Sequence, residues 1–338
     1  MTTRRTLLGG AACCLLVGAP TVAGAQPAQR LRRIGYIGNF PPGVSAEADR
    51  LFAQFVRWIG ERGHVEGRNV VFERRAIAGH PDRVPALVAE LVGMPVDVLV
   101  INGASGAVRI AMKATATIPI VFMGAADPVA SKLVDTLARP GGNVTGISSV
   151  NSEMVLKRIE LIKAALPQAA RIALITHDSG MFDQAAFETT RRAQDAAVRA
   201  LGIRLIRFDM DAREDFDRTT AAIERERPDA LVIAGSATAV VLYREIAEFA
   251  IRIKLPLIAG ARAEAAAGAL LAYGANFEET FYRAALYVAR ILDGAKPADL
   301  PIEQPTRLEL VVNLKTARLI GITLPPSLLL RANEVIDS

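Results

Sequence analysis

The feature that most constrains this chain is a strand–helix pattern written twice. From about residue 33, short β-branched apolar runs alternate with longer amphipathic stretches, the layout of a parallel sheet covered on both faces. Residues 33–37, 70–75, 98–102 and 120–123 are predicted as strands, with helices over 46–63, 83–93 and 105–113 between them. Four landmarks then recur. Arg33-Ile34-Gly35-Tyr36-Ile37 is echoed by Arg171-Ile172-Ala173-Leu174-Ile175, and helix-ending Gly63 by Gly202. Asp97-Val98-Leu99-Val100-Ile101-Asn102-Gly103 is echoed by Asp229-Ala230-Leu231-Val232-Ile233-Ala234-Gly235, and Pro119-Ile120-Val121 by Pro256-Leu257-Ile258. The offsets are 138, 139, 132 and 137 residues, and four landmarks rarely share one spacing by chance. The expected fold class is α/β: two similar doubly wound parallel-sheet lobes. A length of 338 residues fits, at roughly 150 residues per domain.

Gly141-Gly142-Asn143-Val144-Thr145-Gly146 has the turn chemistry of a segment crossing between lobes. The chain does not stop at Tyr273-Gly274, where the second lobe is complete. It adds a predicted helix over 278–293, a proline-bearing stretch over 297–305 and a strand over 308–312. A tail of that kind crosses back between lobes and builds a multi-strand hinge. The expected domains are therefore lobe I from 31–146 with 275–304, and lobe II from 147–274 with 305–338.

Residues 1–25 read as an address label. Arg4-Arg5 precede an apolar run from Leu7 to about Val22, and Ala23-Gly24-Ala25 offers small residues for signal peptidase, with cleavage expected after Ala25. The arginine pair followed by two leucines resembles a twin-arginine signal. A permanent anchor needs about 20 apolar residues, whereas this run carries several glycines and Pro20. Cys13 and Cys14, the two cysteines of the chain, both lie here, and neither has the leucine three positions upstream that lipoprotein signals show. Cleavage leaves a thiol-free protein with no membrane-embedded segment, expected in the periplasm. It also lowers the net charge from +5 to +3, with 38 basic against 35 acidic residues. Those charges are scattered, without a basic block interleaved with aromatics, so a nucleic-acid partner is not expected.

Catalytic patterns are sparse. His64, His80 and His177 lie far apart, and neither HExxH nor paired Cys-x-x-Cys is present, so no metal site is expected. Gly103-Ala104-Ser105-Gly106-Ala107 misses the final glycine of a nucleophile elbow. No phosphate-binding loop or complete G-x-G-x-x-G occurs, so no cofactor is expected. What remains is binding at the carboxyl ends of the strands, where helix N-termini present free N–H groups. The loops landing there supply the candidate ligand contacts Asn39, Phe40, Gly103, Ser105, Asp127, Thr176, Asp178, Ser236, Arg262 and Tyr273. Ser105 reads either as a carboxylate grip or as a plain N-cap. Asp127, preceding Pro128, reads either as an ammonium acceptor or as the cap of the next turn. Phe40, Phe182 and Tyr273 are candidate apolar walls.

From Tyr36 onward the chain resembles the bacterial ABC-transporter substrate-binding proteins of the tryptophan/tyrosine type. The resemblance rests on Ala138-Arg139-Pro140-Gly141-Gly142-Asn143-Val144-Thr145-Gly146, on Asp127-Pro128-Val129 and on Glu303-Gln304-Pro305-Thr306. It continues through Glu309-Leu310-Val311-Val312-Asn313-Leu314-Lys315-Thr316-Ala317 and Pro325-Pro326-Ser327-Leu328-Leu329-Leu330-Arg331-Ala332. It implies a type I periplasmic-binding-protein fold with three crossings, and capture of a small molecule, an amino acid or a carboxylate-like solute, by hinge closure. It also implies delivery of the ligand to an inner-membrane ABC permease; the protein is expected to be a monomer and, lacking catalytic groups, not an enzyme. Members that bind aromatic amino acids are similar at Gly103–Ser105 and Asp127, whereas Gly235-Ser236-Ala237-Thr238 lacks the acid or amide they tend to carry. A ligand sensor for a membrane receptor and a soluble enzyme on a Rossmann-like scaffold stand as the alternative readings.

Overall fold

The computed structural model describes residues 30–103, 105–149, 151–176, 184–234 and 237–337. The expected leader and its cleavage point after Ala25 lie outside the described residues. Among the described residues no helix is long and apolar enough to cross a membrane.

The first sheet is built from β1 (Arg32–Gly38), β2 (Val70–Ala76), β3 (Val98–Asn102), β4 (Ile120–Ala126) and β5 (Val144–Ser149), with helices α1 (Ala46–Gly60), α2 (Val84–Val92) and α3 (Ser105–Ala114) between them. After β5 the chain enters α4 (Asn151–Ala165), β6 (Arg171–Thr176), α5 (Gln184–Ala200), β7 (Arg204–Asp209), α6 (Phe216–Glu226) and β8 (Ala230–Ile233). It continues through α7 (Ala237–Val241), α8 (Tyr243–Arg252), β9 (Leu257–Ala259), α9 (Arg262–Ala267) and β10 (Leu271–Ala275). The tail is α10 (Phe277–Leu292), β11 (Leu308–Asn313), α11 (Leu314–Ile320), α12 (Pro326–Leu329) and β12 (Glu334–Ile336).

The first sheet has the order β2-β1-β3-β4-β5 and is parallel throughout. The second runs β7-β6-β8-β9-β10 and then adds β11 and β12. Its first five strands repeat the topology of the first sheet, so the duplicated pattern in the sequence is duplicated architecture. Among the described residues only the β10–β11 pair is antiparallel. Each sheet is covered on both faces, which explains the nearly unbroken apolar strands. On β3, Val98 and Val100 pack with α1 and α10, while Leu99 and Ile101 pack with α2 and α3.

Two local readings differ from the structure. The first helix stops at Gly60 rather than at Gly63, which instead carries φ +95° in the following turn. Val144–Gly146 is not a turn but the start of β5; the turn is confined to Gly142 and Asn143, with Gly141 and Gly142 at φ +69° and +62°. Within β5 the residue at 146 is glycine because, at its φ of +152°, a side chain would strike the Phe122 carbonyl.

Helix α10 follows the last repeated strand of the second sheet yet packs on the first. Its Phe281 ring stacks edge-on to Phe55 at 6.2 Å, and Tyr282 meets Trp58 at 5.3 Å. The chain then runs along β5, where Ile147 pairs with Glu303 and the Ser148 N–H donates to the Glu303 carbonyl, before returning to β11. It therefore passes between the two sheets three times, after β5, after β10 and before β11.

Glu279 ties two of these passages together. Its carboxylate accepts from Arg283, from the Thr306 hydroxyl at 2.8 Å and from the Arg307 N–H at 3.2 Å. Burial works against the charge, but the Thr306, Arg283 and Arg307 contacts outweigh it and hold Glu279 below its ordinary value of 4.5. A depressed carboxylate contributes stability that is complete above its unfolded-state pKa and lost as the pH falls through the folded-state value. Glu279→Gln is therefore expected to lower the melting temperature at pH 7 by about 2–5 °C. The deficit should shrink below pH 4.5 in thermal melts run across pH. A gap independent of pH would show that the carboxylate's charge contributes nothing.

Candidate functional site

In an open doubly wound sheet the switch point leaves a crevice beyond the carboxyl ends of the strands. Here a cavity of 330 Å³ lies at such ends and is lined from both sheets, within the range of small-molecule pockets. The first sheet contributes Gly38, Asn39 and Phe40 after β1, Arg74 on β2, Asn102 and Gly103 at the end of β3, Met123 and Gly124 on β4, and Ser149 on β5. The second contributes Ile233 from β8, the turn from Gly260 to Glu264, Ala272 and Gly274 from β10, and Val311 from β11. Helix α4 adds Met154 and Arg158.

Of the residues expected from sequence, Asn39, Phe40, Gly103, Ser105 and Arg262 line this cavity. Asn39 Oδ1 is buried without a hydrogen-bond partner. Ser105 is fully buried, and its hydroxyl donates to the Ala126 carbonyl at 2.8 Å. That bond fixes the start of α3 to the end of β4. Arg262 sits at the rim, holding Glu334 through two hydrogen bonds of 2.6 Å.

Three of the expected residues are placed elsewhere. Asp127 is exposed at φ +35°, its Oδ1 accepting from the Ala130 N–H at 3.1 Å, so it caps the turn that follows Pro128. Thr176 is buried at the end of β6, where its carbonyl accepts from Met210. Tyr273 alternates with its cavity-lining neighbours Ala272 and Gly274, and its side chain packs on the opposite core beside α4. Side chains on a strand alternate between faces, so one position along β10 decides the matter. Asp178 and Ser236, together with Phe182, lie outside the described residues.

The polar groups that sequence reading missed include Tyr36, Arg74, Ser149, Arg158 and Glu264. Tyr36 is buried, and its hydroxyl accepts from Asn102 Nδ2 at 3.3 Å. Burial raises it to about 12, partly offset by Asn102 and Arg74, so it stays protonated at neutral pH. Arg74 lies 4.5 Å over the Phe52 ring and donates to Asp49 at 2.9 Å; its Nε and the Ser149 hydroxyl oxygen are buried without partners.

Arg158 is 3% exposed. Its Nε donates to the Tyr273 carbonyl at 2.8 Å and its Nη1 to the Ile233 carbonyl at 3.0 Å. Burial pulls the guanidinium down to about 10, opposed by Glu264, and it remains cationic at pH 7. Glu264, 6% exposed, accepts the Gly260 and Ala261 N–H groups on Oε2, each at 2.7 Å. Burial pushes its pKa up, against the pull of Arg158 and those two N–H groups. A signal for Arg158 did exist: it falls on the apolar stripe of α4 with Met154, Val155, Leu161 and Ile162, all of them buried. A cation on the buried face of an amphipathic helix needs a partner inside the fold.

Among the described residues no cluster of three or more potential metal ligands occurs. His64 pairs with Asp293 at 2.9 Å, joining the loop after α1 to the end of α10.

Residues 56–336 match the family described as ABC transporter substrate binding protein. A tyrosine-binding protein of Clostridioides difficile is 23% identical over 270 residues, covering 80% of this chain and 76% of that one. A conserved domain protein of Vibrio cholerae has a similar crystal structure, at 27% identity and a TM-score of 0.79, covering 90% of this chain and all of that one. The ABC domain of Streptococcus pneumonia in complex with L-Trp shares the fold at 24% identity and a TM-score of 0.78, over 90% of this chain and 99% of that one.

Proposed function

This chain belongs to the ABC transporter substrate-binding protein family, and on that premise we propose that it captures an amino acid between its two lobes and delivers it to an inner-membrane permease. The observation that carries this reading is the cavity itself, shared between the strand ends of two sheets and containing polar atoms without protein partners. The tyrosine-binding relative supports the amino-acid class. The lobes comprise 31–146 with 275–304 and 147–274 with 305–338, and the three passages between the sheets form the hinge. The protein works in the periplasm as a monomer after its leader is removed at Ala25, and it acts by binding rather than by catalysis. Asn39, Phe40, Gly103 and Ser105 shape the first wall and Arg262 the rim.

A ligand that contacts both lobes favours the closed arrangement by its differential affinity for it. Ligand at a hundredfold excess over its Kd adds about 2.7 kcal/mol to folding stability. In a chain this long that raises the melting temperature by about 5 °C. Thermal shift against the common L-amino acids, followed by X-ray scattering with the best binder, tests the proposal. A stabilising amino acid that also reduces the radius of gyration is the expected result. If none stabilises the protein, the reading fails.

A further inference from the structure

Arg158 and Glu264 are a buried guanidinium and a buried carboxyl that do not complete each other. Each acts on the other through space, yet no direct hydrogen bond or ion pair joins them. The guanidinium commits Nε and one Nη1 hydrogen to the carbonyls of Tyr273 and Ile233. Of its five N–H donors, the two on Nη2 have no partner among the described residues. Nη2 occupies a slot made by glycines: it would lie 2.7 Å from a Cβ at Gly260 and 3.4 Å from one at Gly274, and both glycines line the cavity. Glu264 shows the complementary arrangement. Its Oε2 takes both backbone N–H groups of the Gly260–Ala261 turn, and Oε1 has no partner among the described residues. Both side chains are more than nine-tenths buried, and both line the cavity.

Buried charges are tolerated when their donors and acceptors are met, and are costly when they are not. A simple anion placed on Nη2 would drive Glu264 further toward its neutral form and leave Oε1 unmet. A simple cation placed on Oε1 would leave Arg158 uncompensated. A zwitterion meets both at once and keeps the pocket neutral.

We infer that Arg158 and Glu264 of the second lobe read the head group of the ligand, the guanidinium taking its carboxylate and Glu264 its ammonium group. This rests on the amino-acid reading above and deepens it. Recognition of the head group is thereby moved to the second lobe, away from Ser105, whose hydroxyl is already committed to Ala126. The first-lobe wall, with Phe40, Met123 and Tyr36 and the unpartnered atoms of Asn39, Arg74 and Ser149, is left to the side chain.

The test uses purified protein, calorimetric titration, the amino acid that stabilises it most, and two analogues of it: the decarboxylated amine and the deaminated acid. Intact protein should prefer the amino acid over either analogue by at least about 30-fold. In Arg158→Gln the preference over the amine should collapse to within about 3-fold, while the preference over the deaminated acid persists. Glu264→Gln should do the reverse. Arg158→Lys, which keeps the charge and most of the carbonyl contacts, should retain an intermediate preference and covers the event that Arg158→Gln does not fold. A merely structural role would weaken all three ligands together and leave their ratios unchanged, which would overturn the assignment. An intact protein that binds the amine as tightly as the amino acid would also overturn it. Failure of every amino acid to bind would remove the functional reading and this assignment together, whereas binding with unchanged ratios removes the assignment alone.

Discussion

Gly274→Ala is expected to melt about 6 °C below the parent protein, a loss of about 3 kcal/mol at roughly 2 °C per kcal/mol for a chain of this length. Gly274 lies on β10 at the floor of the cavity, and a Cβ there would stand 2.0 Å from the carbonyl oxygen of Gly260 and 3.4 Å from Arg158 Nη2. The first of these atoms is backbone at the end of β9, so no rotamer change relieves the clash. The strands must separate, which also pulls the Tyr273 and Ile233 carbonyls away from the guanidinium they hold. Gly35→Ala is the control. Its Cβ would come closest to the side-chain ends of Leu99 and Leu91, at 3.1 and 3.3 Å, and those can shift. Calorimetric melts of both variants decide the question. A Gly274→Ala protein within 2 °C of the parent, or one no worse than Gly35→Ala, would sink the argument.

The second large effect lies away from the cavity. Phe55→Ala should cost about 3–5 kcal/mol, the usual range for emptying a fully buried aromatic position. Phe55 is completely buried on α1, with ring centroids 6.0 Å from Tyr36, 6.3 Å from Phe72 and 6.2 Å from Phe281. It therefore joins two strands of the first sheet to α10, the helix that arrives from the second. The vacated volume cannot be refilled by one neighbour without loosening another, because the packing is shared among elements far apart in the chain. Phe55→Leu, which keeps most of the volume, should recover more than half of the loss. Denaturant unfolding of the two variants measures this, and a Phe55→Ala loss below 1 kcal/mol would show that α10 docks independently of the aromatic cluster.

Much of the architecture was legible because periodicity is a local property. The run from Asp97 to Gly103 and its echo from Asp229 to Gly235 declare a buried strand ending in a glycine turn wherever they occur. The structure makes them equivalent members, β3 and β8, of two sheets with one topology. Loop-borne candidates such as Asn39, Phe40 and Gly103 reached the cavity for the same reason, since strand ends are where this topology opens. Asp127 and Tyr273 did not, and the reasons differ. Asp127 meets its hydrogen-bond needs in its own turn, a choice that short polar side chains make from local geometry. Tyr273 was lost to parity, because its neighbours rather than itself face the cavity. Arg158 was visible as a charge on an apolar helix stripe, but its meeting with Glu264 across more than a hundred residues was not.

By itself, then, the sequence determined two copies of a parallel α/β unit, the ends of the sheets at which the cavity opens, and the absence of a standard catalytic motif from its residue order. Each follows from residue spacing within one element or one repeat. The tertiary structure decided what no spacing encodes: that α10 crosses to pack on the first sheet, that Ser105 is spent on Ala126, and that Arg158 and Glu264 face one cavity with atoms still to be satisfied. Those outcomes depend on which faces meet after the chain has folded back on itself. Only packing, which removes the alternative of water, turns a charged residue into a demand for a partner.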